Sequence, residues 1–141
     1  MILHSKKWLL LFTALVAILG VSGCNGQREL PTPTLVLVHG KLTIRGEPGR
    51  YVTITLDPQG GYGLPAEALT SHDGTFELRT LSNDGVPDGA APGEYEVVLE
   101  GGGAPPDAPE GAVPTQIAGE FRTGIIVEVK AGDSEMEIDV P

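Results

Sequence analysis

From Leu35 to Val140 hydrophobic and polar residues alternate along much of the chain with a period of two, the pattern of strands that turn one face to a core. Leu35-Val36-Leu37-Val38 opens the series, and Gly40 kinks the chain after it. Lys41-Leu42-Thr43-Ile44-Arg45 alternates cleanly, and Tyr51-Val52-Thr53-Ile54-Thr55-Leu56 does so again with β-branched residues. Ala68-Leu69-Thr70 predicts a short strand, and His72-Asp73-Gly74 a turn into Thr75-Phe76-Glu77-Leu78-Arg79-Thr80. Asp-Gly between two alternating runs is a strong short-range hairpin signal. Glu94 to Glu100 predicts a strand with Tyr95, Val97 and Leu99 inward. Ile125 to Lys130 and Glu135 to Val140 flank Ala131-Gly132-Asp133-Ser134 as a second hairpin. No stretch after Leu35 carries a helical stripe.

Glycine and proline mark the connections. Gly46-Glu47-Pro48-Gly49 predicts a turn, Asp57 to Leu64 a glycine-rich loop, and Ser82 to Pro92 an irregular segment. Gly101 to Gly119 holds five Gly and four Pro, which predicts a long exposed loop. The predicted inward positions are Leu42, Ile44, Val52, Ile54, Leu56, Phe76, Leu78, Tyr95, Val97, Leu99, Ile125, Val127, Val129, Met136, Ile138 and Val140. Some seven short strands with turns at this spacing predict an all-β fold, a single sandwich.

The N-terminus follows another rule. Lys6 and Lys7 precede an uncharged run from Trp8 to Leu19, and no acidic residue appears before Glu29. As a helix that run would span about 18 Å, against a hydrocarbon core of about 30 Å. Its length and its basic flank therefore predict a cleaved signal peptide and not a spanning helix. Gly20 breaks the run, and small residues lead to Cys24, the only cysteine. Val21-Ser22-Gly23-Cys24 resembles the bacterial lipobox, an aliphatic residue and two small ones before a cysteine. The resemblance implies that residues 1–23 are removed and that the Cys24 thiol carries a diacylglyceryl group, usually with acylation of the new amino group. Several chains are needed because each buried methylene contributes only ~0.8 kcal/mol and a single chain anchors marginally.

Residues 24–34 then form the lipidated cysteine and an extended tether, with Pro31 and Pro33 favouring ~3.1 Å per residue. Asn25 stands where an aspartate tends to retain lipoproteins at the inner membrane, so by resemblance it favours the outer one. The expected location is thus a lipid anchor in the cell membrane or outer membrane, with the domain in the periplasm or at the cell surface. Residues 35–141 form the sandwich domain, large enough for a modest core without cross-links. Once Lys6 and Lys7 leave, seven basic residues face nineteen acidic ones, a net charge of −12. Such a surface repels phosphate backbones, which argues against nucleic acid as a partner. Protein partners or glycans of the envelope stay open, as does oligomeric state.

The order of motifs resembles carboxypeptidase regulatory-like domains. Val38-His39-Gly40-Lys41-Leu42 followed by Glu47-Pro48 is similar to their opening, and Asp73-Gly74-Thr75-Phe76-Glu77-Leu78 to their central signature. Pro92-Gly93-Glu94-Tyr95-Glu96-Val97 resembles their Pro-Gly-x-Tyr-x-Val strand, and Val127-Glu128-Val129 with Ile138-Asp139-Val140 the closing pair. The resemblance implies a transthyretin-like, seven-stranded sandwich of Ig-like build that serves adhesion, binding or folding support without catalysis. The Asp57–Leu64 loop departs from it, being longer and richer in glycine than in the shortest members.

Three other chemistries are weighed against that reading. Transthyretin-like hydrolases of purine breakdown use two His, an Arg and a terminal Tyr-Arg-Gly-Ser, whereas this chain reads Ile138-Asp139-Val140-Pro141. His72 beside Asp73 has the composition of a base and its orienter, but neighbouring turn residues point apart. No catalytic residue and no cofactor is expected. Asn83, Asp84 and Asp88 cluster the oxygen donors that calcium requires, as an alternative metal site, although without EF-hand spacing. For a glycan, which stacks on exposed aromatic faces, the candidates are Tyr51, Tyr62 and Phe121, with Tyr62 foremost.

Overall fold

Each β-rich stretch is an amphipathic ribbon that must bury its apolar side, and two such sheets back to back are the simplest way to do so. The computed structural model, which describes residues 33–61, 63–82, 85–132 and 135–141, takes that solution. The strands run β1 (His39–Ile44), β2 (Glu47–Pro48), β3 (Val52–Pro58), β4 (Ala66–Leu69), β5 (Thr75–Glu77), β6 (Arg79–Thr80), β7 (Gly93–Gly101), β8 (Glu120–Val129) and β9 (Glu135–Val140). One sheet has the order β6-β4-β3-β7-β8. In the other, β1 is central, with β9 along one side and the short β2 and β5 sharing the opposite side. The fold is all-β with two packed sheets.

Parity along the strands becomes the core. All sixteen inward positions expected from the alternation lie in the buried cluster or pack directly against it. Leu42 of β1 and Ile138 of β9 share that cluster with Ile54 and Leu56 of β3 and with Tyr95, Val97 and Leu99 of β7. The cluster also takes in Val38, Ala66, Ala68 and Ala90, small or flanking residues that alternation alone does not single out. Thr70 is buried as well, where its Oγ1 accepts from Val52 N at 2.8 Å while its own N–H donates to Val52 O at 2.9 Å. A polar side chain thus completes the ladder and satisfies the groups it buries.

Several elements differ from expectation, each for a physical reason. β3 continues through Asp57 and Pro58 into the expected loop, because β7 offers Glu96 and Tyr95 as partners there. Pro58 occupies the last strand position, beyond the end of the β4 ladder, where a missing N–H is tolerated. β8 begins at Glu120, five residues before the expected start, and carries a bulge where its register against β7 shifts. Thr123 spans that bulge, donating from Oγ1 to Val97 O at 2.7 Å and accepting from Ile125 N at 3.0 Å. The Leu35–Val38 segment is not a strand: Val36 makes an isolated bridge to Ala90, and Val38 O accepts from Leu78 N.

Two expected hairpins change most. β8 and β9 are not a hairpin: β8 pairs with β7 in one sheet, and β9 runs parallel to β1 in the other. Crossing over lets Met136, Ile138 and Val140 cover the flank of β1, which only short strands line on its opposite side. The Asp73-Gly74 hairpin closes at its base, where Ala66 faces Thr80 and Glu67 faces Arg79, and at its turn, where Ser71 N donates to Thr75 O at 2.8 Å. Between the two its second strand leaves, and Thr75–Glu77 pairs with β1 instead. Leu78 is the switch point, its N–H donating to Val38 O at 3.0 Å and its C=O accepting from Gly89 N at 2.8 Å.

The Gly101–Gly119 segment has no strand between β7 and β8, yet it is pinned. Thr115 N donates to Arg50 O at 2.9 Å, Arg50 N donates to Thr115 Oγ1 at 2.9 Å, and Ile117 packs on the core. No helix of the described residues is long and apolar enough to cross a membrane. The expected signal segment 1–23, Cys24 and the expected tether up to Thr32 lie outside the described residues, as do Tyr62, Asn83, Asp84, Asp133 and Ser134.

Candidate binding site

Where the hairpin between β4 and β6 splays, the two sheets part and leave a cleft of about 820 Å³. Its polar wall carries His39, Glu67, Ser71, Thr75, Glu77 and Arg79, and its apolar part is Ala68, Leu69, Phe76, Leu81 and Val86. The splay follows from the strand switch at Leu78: β5 follows β1 while β4 stays with β3. Leu69 and Val86 are exposed, 46% and 58%, so the rim presents aliphatic surface to solvent.

The charged groups around the cleft are loosely paired. His39 and Glu77 stand opposite each other in the β1–β5 ladder, with Nδ1 and Oε1 3.3 Å apart. Both side chains are more than half exposed, and pairs in that setting contribute little. Arg79 Nε lies 3.3 Å from Asp88 Oδ1, again at the surface. Asp88 therefore has an arginine partner, while Asn83 and Asp84, which complete the calcium alternative, lie outside the described residues. Among the described residues no three His, Cys, Asp or Glu side chains are grouped to hold a metal ion.

The turn at the tip shows what the His72-Asp73 pair does. Asp73 Oδ1 accepts from the Ser71 hydroxyl, from Thr75 Oγ1 at 2.7 Å and from Thr75 N at 3.1 Å. These bonds, the one from Ser71 foremost, hold the Asp73 carboxyl well below the usual carboxylate range. His72 is exposed in the turn and adds only a minor electrostatic pull on Asp73. The carboxylate is thus spent on shaping the turn, and Ser71 Oγ is engaged by Asp73 and Thr75. Gly74 completes the turn at φ +84°, and a Cβ there would stand 2.5 Å from Leu42 O.

The aromatic candidates separate. Tyr51, expected to be presentable, is buried at 5% exposure, because its φ of +53° starts β3 one residue later, at Val52. Phe121 is 48% exposed beside a second hollow of about 570 Å³ lined by Ile44, Ile117 and Val140. Tyr62 lies outside the described residues. Tyr95 is inward as expected, and its hydroxyl donates to Ala91 O at 2.7 Å. Sequence reasoning did not single out Glu67, Arg79, Leu81 or Val86 as cleft residues. Glu67 and Arg79 had a signal, since each alternates with buried neighbours, Glu67 with Ala66 and Ala68 and Arg79 with Leu78 and Thr80.

Comparison of the chain with protein-family models, with curated proteins and with solved structures returned no match.

Proposed function

We propose that this protein is a lipid-anchored, non-enzymatic β-sandwich of the cell envelope that acts as a binding or structural module. The observation that carries the reading is Val21-Ser22-Gly23-Cys24 at the end of a short apolar run behind two lysines. A thioether-linked diacylglyceryl group on Cys24, with a further acyl chain, supplies the two or more anchors that stable membrane attachment needs. Asn25 to Thr34 is the tether, and the acidic body stands off an anionic lipid face. The body is a transthyretin-like sandwich of the carboxypeptidase regulatory-like kind, with seven principal strands. What supports that finer reading is the order of its motifs together with the two-sheet core and the small size of β2 and β6. The cleft beside the splayed hairpin, with its aliphatic rim and loosely paired charges, is the surface for a ligand.

The reading predicts how a Cys24→Ala variant behaves in cells. Wild-type protein should sediment with membranes and partition into the detergent phase of a Triton X-114 extract, while the variant loses both properties. A variant that stays with the membrane as the wild type does would remove the lipid anchor from the account.

A further inference from the structure

We propose that the outer edge of β9 is a strand-addition site for an extended basic peptide segment of a partner protein. β9 pairs along its whole length with β1, from His39–Glu135 to Ile44–Val140, in parallel. Its other side has no strand partner among the described residues. Arg45 N donates to Val140 O at 2.7 Å on the β1 side, extending that ladder past its last pair. An open edge of this length offers a row of N–H and C=O groups to an incoming strand, the basis of strand-addition binding.

The side chains define which strand fits. Met136, Ile138 and Val140 point to the core side, while Glu135, Glu137 and Asp139 line the solvent side. On β1 they face His39, Lys41 and Thr43, and Thr43 Oγ1 donates to Asp139 Oδ1 at 2.6 Å. A second copy of β9 laid on this edge would oppose carboxylate to carboxylate, which is destabilising. A strand with Lys or Arg at alternate positions places a cation beside each carboxylate and an apolar residue toward Met136 and Ile138. The outer edge of β8 suits this role less well, because its bulge near Gly124 interrupts the ladder and Arg122 already engages Asp57 and Glu96. The inference depends neither on the Cys24 anchor nor on the cleft.

The test uses the full chain in detergent and a fluorescent synthetic octapeptide of alternating lysine and valine. Anisotropy should show saturable binding, with amide shifts in an NMR spectrum concentrated along β9. The same peptide with alternate backbone nitrogens methylated should lose binding. A Glu135→Lys/Glu137→Lys chain should weaken the basic peptide at least ~tenfold and gain binding of the glutamate–valine counterpart. The proposal is overturned by no saturable binding, by equal binding of the methylated peptide (plain charge attraction), by shifts elsewhere, or by wild-type self-association through β9. Loss of the membrane anchor in the Cys24→Ala experiment would leave it standing.

Discussion

Asp73 shows how much one side chain contributes when its environment favours the charged form. Its Oδ1 takes three hydrogen bonds from Ser71 and Thr75, and those bonds lower its pKa. A carboxyl with a lowered folded-state value stabilises fully above its unfolded value of ~3.9 and loses that contribution as acid approaches the folded one. Asp73→Asn keeps the acceptor oxygen and removes the charge. The variant should melt below the wild type at neutral pH, and the gap should narrow as pH falls through the carboxylate range. Thermal scans from pH 7 downward check this, and a gap that stays constant would count against the charge as the source. At the same scale, Tyr95 and Thr70 show why two polar groups sit in the core: each has a partner, to Ala91 O and to Val52, and burial pushes the Tyr95 hydroxyl pKa above its ordinary value.

The strands themselves were legible because parity is a local property. Leu42 and Ile44 or Val52, Ile54 and Leu56 declare their face within a few residues, and the structure buries or half-buries each of them. Which sheet a strand joins was not legible. Thr75 to Thr80 reads as one alternating run, yet it divides at Leu78 between two sheets. That division is set by β1, a distant segment whose flank the run must cover. The same holds for β9, whose nearest neighbour in sequence is β8 but whose partner is β1. The cleft was illegible for the same reason, since it exists only because the run divides.

Gly40 tests this element-level account. It faces Phe76 on one side and Met136 on the other. A Cβ there would lie 2.3 Å from the Phe76 ring and 2.5 Å from Met136 O. Backbone atoms of β9 cannot move aside cheaply, so Gly40→Ala should destabilise by about 1–3 kcal/mol, as overpacking does. Urea denaturation would show this as a lower midpoint at unchanged slope. An unchanged midpoint would mean that β1, β5 and β9 do not converge on Gly40 as described.

For the whole molecule, two kinds of information meet. The body is a two-sheet sandwich whose acidic surface and open β9 edge suit a role in contact with other molecules, and the proposal that it is held at a membrane rests on the segment that precedes it. Cys24 is the chain's single cysteine, so no disulfide forms within the chain, and the buried cluster and the strand ladders hold the body together. The proposed anchor would set where the cleft and the strand edge meet a partner. The most direct test is the intact mass, with N-terminal peptide sequencing, of the mature protein purified from membranes. The account predicts a chain that starts at Cys24 and carries the added mass of a diacylglyceryl group and an amide-linked acyl chain. A chain that starts at any other residue, or at Cys24 with an unmodified thiol, would contradict it.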